Sequence, residues 1–411
     1  MSADILLCRL CGSILEHVVV DLGEQPLSNS YVVPGSEHEE NLYPLCARLC
    51  TSCGLVQVAD FVAPEAIFSD YAYFSSYSDS WVAHARSYAT AAEARFGLGA
   101  DSTVLEIASN DGYLLQHFLA DGVGVLGVEP AANVAEVAQA KGIDTVVAFF
   151  GLQTARDLVG RGVAADLVVG NNVLAHVPDL NDFVSGIEHV LAPGGVVSIE
   201  VPHLLRLVEE TQFDTIYHEH FSYFSLLAAQ AVFARHGLEV FDVEQIPTHG
   251  GSLRIFGCRI GDSAHPELPS VAEVVAAERA ARLTEPEGFA GFAARVERCC
   301  VGLRAFLTEQ VARGASVVAY GAAAKGNTLL NAAGVSTELL AFVVDRNPHK
   351  QGKLLPGSHV PVCDVPRLIV EQPVFVLILP WNLRDEITEQ MAVVRDWGGS
   401  FVTAIPEIEI F

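Results

Sequence analysis

From Thr103 onward, short and almost uniformly apolar runs alternate with longer stretches whose apolar positions recur at helical spacing. Thr103 to Ile107, Gly124 to Val128, Asp144 to Ala148, Ala165 to Val169 and Gly195 to Val201 read as strands. Helices are expected between them, at Gly112 to Asp121, Ala131 to Lys141, Leu152 to Val159 and Asn181 to Leu191. Strands apolar on both faces and separated by helices predict a doubly wound parallel α/β sheet. A helix at Leu226 to His236 and two closely spaced strands, Leu238 to Glu244 and Ser252 to Cys258, follow. Pro266 and Pro269 mark a boundary, after which Val271 to Arg313 is helical. A second αβ unit has strands at Val317 to Tyr320, Leu339 to Val344, Val374 to Leu379 and Ser400 to Ala404, with helices at Asn327 to Ala333 and Leu383 to Arg395. The pattern divides the chain into three expected domains, 1–70, 71–265 and 266–411.

Composition narrows the possibilities. With 411 residues, 51% of them hydrophobic, the chain can bury real cores. The net charge of −26, from 24 Lys+Arg against 50 Asp+Glu, argues against nucleic acid as a partner, because polyanion binding needs clustered cations. Met1 to Gly12 has no basic or apolar leader pattern, and runs such as Val374 to Leu379 are too short to span a bilayer. A cytoplasmic protein without a membrane partner is expected, as monomer or homodimer.

Five of the nine cysteines lie in the first 53 residues. Two C-x-x-C pairs, Cys8/Cys11 and Cys50/Cys53, supply four thiolates for tetrahedral Zn²⁺, and with no position left open such a zinc is structural. Gly12 and Gly54 follow the pairs and permit a tight turn that presents amides to sulfur. Cys46 is the spare.

Ligands of open α/β sheets sit beyond the carboxyl ends of the strands, and the candidate chemistry collects there. The first strand runs into Glu106-Ile107-Ala108-Ser109-Asn110-Asp111-Gly112, which resembles the E-x-G-x-x-G turn of methyltransferases that bind S-adenosylmethionine, with Ala108 where the first Gly is usual. Glu106, Ala108, Asn110 and Gly112 are the expected contacts. Glu129, about twenty residues on at the end of the second strand, is placed to accept both ribose hydroxyls. Phe149 could flank an adenine and Asn171 could line the methionine side. A terminal hairpin on a parallel sheet is also the organisation of class I methyltransferases. His176 follows the fourth strand, and Tyr217-His218-Glu219-His220-Phe221 follows the fifth. His-Glu-His lacks the spacing of the H-E-x-x-H metal motif.

The latter segment, His249-Gly250-Gly251-Ser252-Leu253-Arg254, Tyr320-Gly321-Ala322-Ala323-Ala324-Lys325-Gly326 and the C-x-x-C pairs together resemble the nucleotide-sugar C-methyltransferases of branched deoxysugar biosynthesis, of tetronitrose, tylosin and novobiocin type. The resemblance covers essentially the whole chain: a zinc domain, a class I methyltransferase domain and a C-terminal Rossmann-like αβ domain. It implies S-adenosylmethionine as cofactor and a dTDP-4-keto-6-deoxyhexose as substrate, methylated at C3 through an enolate. His220 corresponds to the base, with Tyr217, Glu219 and His176 beside it. Tyr217 and His176 would donate to the ketone oxygen, and Glu219 would orient an imidazole or bind a sugar hydroxyl. Tyr73 and His249 are expected at the sugar, and Gly321, Lys325 and Asn327 at the pyrophosphate. His218 stands where a relative has Asp. An O- or N-methyltransferase, and a non-catalytic zinc and nucleotide-binding scaffold, are the rival readings.

Overall fold

The computed structural model describes residues 6–35, 40–62, 75–77 and 79–411. Among the described residues there are three sheets. Strands β1 (His17–Gln25), β2 (Tyr43–Leu49) and β3 (Val56–Gln57) form an antiparallel sheet that the hydrophobic pattern did not announce.

The central sheet begins with the parallel strands β4 (Thr103–Ile107), β5 (Gly124–Glu129), β6 (Thr145–Val147), β7 (Ala165–Asn171) and β8 (Leu191–Pro202). The chain then leaves it. Strand β9 (Ser222–Tyr223) pairs with β3, so the residues just after His220 complete the N-terminal sheet. It returns as the hairpin β10 (Leu238–Ile246) and β11 (Ser252–Arg259), giving seven strands in the order β10-β11-β8-β7-β4-β5-β6 with β11 antiparallel. That order and that single reversed strand are those of the class I methyltransferase fold, as expected.

The C-terminal sheet contains β12 (Val317–Tyr320), β13 (Val343–Val344), β14 (Val362–Cys363), β15 (Phe375–Ile378), β16 (Ser400–Thr403) and β17 (Glu409–Ile410). Its order, β14-β13-β12-β15-β16-β17, reverses direction between β12 and β15, which makes that junction a topological switch point. Strands β14 and β17, two residues each, are too short to carry a readable period.

Local chemistry explains the element ends. Asp179 caps the helix Leu180–Val190 by accepting the Asp182 N–H at 3.0 Å, and Ser225 caps Leu226–Arg235 in the same way. The buried Glu278 carboxylate adds bonds from the Leu226 and Leu227 amides and from His203. The helix expected from Gly112 starts only at Leu115, because Ala108, Asn110 and Gly112 all take left-handed backbone first. The helical stretch after Val271 is two helices, Pro269–Ala280 and Phe292–Ala312, separated around Pro286 and the left-handed Gly291.

Candidate active site

Cys8, Cys11, Cys50 and Cys53 bring four sulfurs within 4.8 Å of one another, with Cys8 to Cys53 at 3.6 Å and Cys11 to Cys50 at 3.5 Å. Tetrahedral thiolates about 2.3 Å from zinc require sulfur separations close to these. The amides of Leu10 and Cys11 point at the Cys8 sulfur, those of Ser52 and Cys53 at the Cys50 sulfur, and Gln57 Nε2 donates to Cys8 Sγ at 3.2 Å. Such donors stabilise thiolate charge, so the donor set fits a structural zinc. Cys46 lies on β2, outside the cluster.

At the carboxyl edge of the central sheet, the β4 turn is built for close approach. A Cβ on Gly112, at φ +74°, would stand 2.3 Å from Ile143 Cδ1. Ala108 (φ 55°) takes the conformation that the usual glycine would supply. Glu129 accepts the Asn110 N–H and the Ala131 N–H, both at 2.9 Å, which fixes its carboxylate beside the turn. Asn110 Oδ1 in turn accepts the Ser75 N–H at 2.9 Å, and Ser76 bonds Asp111, so the segment entering the first described helix is tied to the turn. Glu106 Oε2, Asn171 Oδ1 and Glu200 Oε2 are buried polar atoms with no partner at the ends of adjacent strands. Buried orphans of this kind are costly, and a polar ligand at the switch point would satisfy them. Burial and the neighbouring Glu129 push the Glu106 carboxyl well above the usual range. Phe150 packs edge-on against Phe183, whereas Phe149 stays exposed.

Phe213 to Ser222 forms the reactive turn. His220 Nδ1 donates to the Thr215 carbonyl at 3.0 Å, which fixes the neutral tautomer and leaves the Nε2 lone pair facing the Tyr217 hydroxyl at 2.8 Å. Burial, then repulsion from His176 once that ring is itself protonated, and the Lys325 ammonium hold the His220 pKa well below its ordinary 6.5. His176 lies 4.6 Å from it, centroid to centroid, with Nδ1 at 2.6 Å from the Glu219 carbonyl. Burial lowers His176 to about 4, so it is neutral, its proton sits on Nδ1, and Nε2 is an acceptor. In this tautomer the expected donation from His176 is not available, and Nε2 accepts instead.

The Glu219 side chain turns away from both imidazoles. Its Oε1 accepts the Asn29 N–H at 3.2 Å and Asn29 Nδ2 at 3.3 Å, and only its backbone carbonyl orients His176. His218 is buried between Tyr43 and Phe61, with Nε2 on the Pro44 carbonyl, and belongs to the N-terminal sheet. His249 enters the cleft on a left-handed turn (φ 57°), edge-on to Trp81 and 3.3 Å from Asn172 Nδ2. Tyr73 lies outside the described residues.

The C-terminal sheet presents a different face from the one expected. The Gly321 amide is held by the Val344 carbonyl and the Ala322 amide by Asp345 Oδ2, and a Cβ on Gly321 would collide with Pro380 at 2.5 Å. Asn327 is fully buried and donates to the Ser28 carbonyl. Neither Gly321 nor Asn327 offers a donor to a pyrophosphate, and Lys325 alone of the three keeps a polar group at the cleft. Its Nζ donates to Asn382 at 2.8 Å and lies 5.0 Å from the Trp381 ring centroid. Asp214, Asn172, Trp381, Asn382 and the buried Glu200–Arg254 pair, joined at 2.6 Å, escaped the sequence reading. An acidic residue inside the apolar run Val196 to Val201 was the one available signal for Glu200.

A class I sheet with an acidic residue beside its glycine turn and unsatisfied polar atoms at its switch point defines an S-adenosylmethionine-dependent methyltransferase. Family models match the chain in order: a zinc binding domain at residues 8–68, a methyltransferase domain at 81–243 and a C-methyltransferase C-terminal domain at 247–406. The chain is 36% identical over 403 residues to C-methyltransferase NovU of Streptomyces niveus, covering 97% of this chain and 95% of that protein. It belongs to that C-methyltransferase family, with S-adenosylmethionine and a structural zinc as its cofactors. A ubiquinone biosynthesis O-methyltransferase of Chelativorans sp. (strain BNC1) is 27% identical over 97 residues, 23% of this chain and 38% of that one. Magnesium protoporphyrin IX methyltransferase of Synechocystis PCC 6803 is a structural neighbour at 15% identity and TM-score 0.35, covering 43% of this chain and 83% of its own. Among the described residues, no helix is long and apolar enough to cross a membrane.

Proposed function

We propose that the protein methylates C3 of a dTDP-4-keto-6-deoxyhexose, a step in making branched deoxysugars of the kind found in antibiotics. The observation that carries this reading is the neutral His220, locked by the Thr215 carbonyl with its Nε2 lone pair facing the Tyr217 hydroxyl. A sulfonium methyl needs no activation, so an enzyme that methylates carbon must instead generate a carbanion equivalent. An imidazole held neutral at physiological pH is suited to removing a proton made acidic by an adjacent ketone.

In the proposed cycle the C3–H bond breaks, its proton passes to His220 Nε2, and the electron pair forms the C3–C4 double bond as the ketone π pair moves onto oxygen. Tyr217, which in the resting state donates to Nε2, turns its hydroxyl to that oxygen as the substrate takes its place. His176 Nε2 accepts a sugar hydroxyl. S-adenosylmethionine, when bound, would supply the electrophilic methyl for the enolate carbon, and His220 then returns the proton to solvent. Glu129 holds the ribose and Asn171 the methionine end.

Incubation with dTDP-4-keto-6-deoxyglucose and ¹³C-methyl-labelled cofactor tests the reading by NMR of the product. The expected result is a labelled methyl on the sugar carbon next to the ketone. A labelled methyl on oxygen or nitrogen would establish an O- or N-methyltransferase instead.

A further inference from the structure

We propose that Lys325, carried by the C-terminal sheet, is the cation that stabilises the enolate oxygen, and that Asp214 holds it in place through Trp381. This rests on the C-methylation reading above.

Enolisation places a full negative charge on oxygen, and neutral His176, with its proton committed to the Glu219 carbonyl, cannot donate to it. Among the described residues of the central domain, Tyr217 is then the one donor assigned to that charge. Across the cleft, the switch point of the C-terminal sheet carries Lys325 and, after β15, Trp381 and Asn382. The Gly321, Ala322 and Ala323 amides of the turn beside it are all engaged within the C-terminal sheet and its turn, so these three are not donors to a phosphate.

Trp381 acts as a strut. Its indole Nε1 donates to Asp214 Oδ2 at 2.8 Å, and its far edge lies against Gly250, where a Cβ would come within 2.4 Å of Cη2. Asp214 immediately precedes Thr215, whose carbonyl fixes His220, and Gly250 immediately follows His249. The ring therefore bridges the two segments that carry the histidines, and the Lys325 ammonium sits over its face with Asn382 as partner. The fully buried Asp214 carboxylate supplies the counter-charge, and both His220 and His249 feel the ammonium electrostatically. A preorganised cation in a buried site of low dielectric constant is suited to stabilising the charge that develops on an enolate oxygen. Lys325 would be catalytic. Asp214 and Trp381 are positioning residues.

The test measures solvent deuterium exchange at C3 and the dissociation constant of dTDP, each on the zinc-loaded full chain, with zinc content and cofactor binding as checks of folding. Lys325→Gln is expected to slow exchange by about 10²- to 10³-fold at saturating sugar while dTDP affinity changes by less than about threefold. Lys325→Arg is expected to recover much of the rate. Trp381→Phe, which keeps the packing and removes the N–H, is expected to lower kcat for exchange by about tenfold with little change in KM. Wild-type exchange in Lys325→Gln would overturn the proposal. So would a loss of dTDP affinity that accounts for the whole defect, because that would place the ammonium on the pyrophosphate. Failure of the C-methylation reading itself is distinguishable, since the wild-type enzyme would then show no exchange with any 4-ketosugar.

Discussion

Tyr217 and His220 stack with ring centroids 4.1 Å apart, and the phenol oxygen lies 2.8 Å from the nitrogen that carries the free lone pair. The hydroxyl thus guards the base in the resting state and is at hand for the oxygen once the substrate enters. Tyr217→Phe should lower kcat by about 10- to 100-fold and leave cofactor affinity unchanged. Steady-state kinetics with calorimetric cofactor binding checks this, and an unchanged kcat would remove the tyrosine from the chemistry.

The pH dependence follows from burial. The active form of His220 is neutral, and its folded pKa lies well below 6.5, so activity should persist as pH falls through 6.5 and be lost only further down. The acid limb of kcat/KM for exchange reads this directly; a limb at or above 6.5 would contradict it.

Stability should follow the same sign. His176 and His249 are lowered to about 4 in the folded protein. Between that value and the unfolded value of about 6.5, the unfolded chain binds more protons, so lower pH favours unfolding. The buried carboxyls of Glu106, Glu129, Asp214 and Glu219, pushed up by burial, act in the opposite sense on acidification, so the check is wild type against His249→Gln: the wild type's melting-temperature advantage should be constant above pH 6.5 and shrink below it, and an advantage that grows on acidification would contradict the neutral imidazole.

Cofactor affinity should depend on two residues for different reasons. Glu129→Ala removes the acceptor of two backbone N–H groups and the expected ribose contact, and should weaken S-adenosylmethionine binding by about 10- to 100-fold. Gly112→Ala places a methyl against Ile143 in left-handed backbone and should also lower the melting temperature. Calorimetry and thermal denaturation separate the two effects.

Zinc removal should reach the active site through the backbone. Strand β3, which carries Gln57, pairs with β9, and the Val58 amide donates to the Phe221 carbonyl, one residue from His220. Gln57→Leu should weaken zinc binding by about tenfold in a chelator competition, and Cys8→Ser should abolish stoichiometric metal. Full zinc content in Cys8→Ser would contradict the four-cysteine site.

The central sheet was legible because uniformly apolar strands and amphipathic helices leave a period, and the zinc ligands because doubled C-x-x-C spacing has few other uses. Ala108 and Asn110 were recognisable as a turn by position, although their left-handed backbone, which delays the helix to Leu115, was not. The roles inside the reactive turn were harder to read. Which imidazole nitrogen bears a proton depends on the Thr215 and Glu219 carbonyls, backbone atoms that no residue name encodes. Asp214 and Trp381, 167 positions apart, carry no motif and acquire meaning only when the two sheets meet. Gly321 and Asn327 show the converse: a strand-turn-helix sequence suggested a phosphate site, and packing against Pro380 and Ser28 gave both residues structural work.

Removal of the C3 proton by His220 is the central claim, and deuterium exchange at C3 of a dTDP-4-keto-6-deoxyhexose in D₂O without cofactor tests it most directly. Wild-type protein should wash deuterium into C3, and His220→Asn should stop the exchange while binding S-adenosylmethionine normally. Exchange at the wild-type rate in His220→Asn would contradict the account.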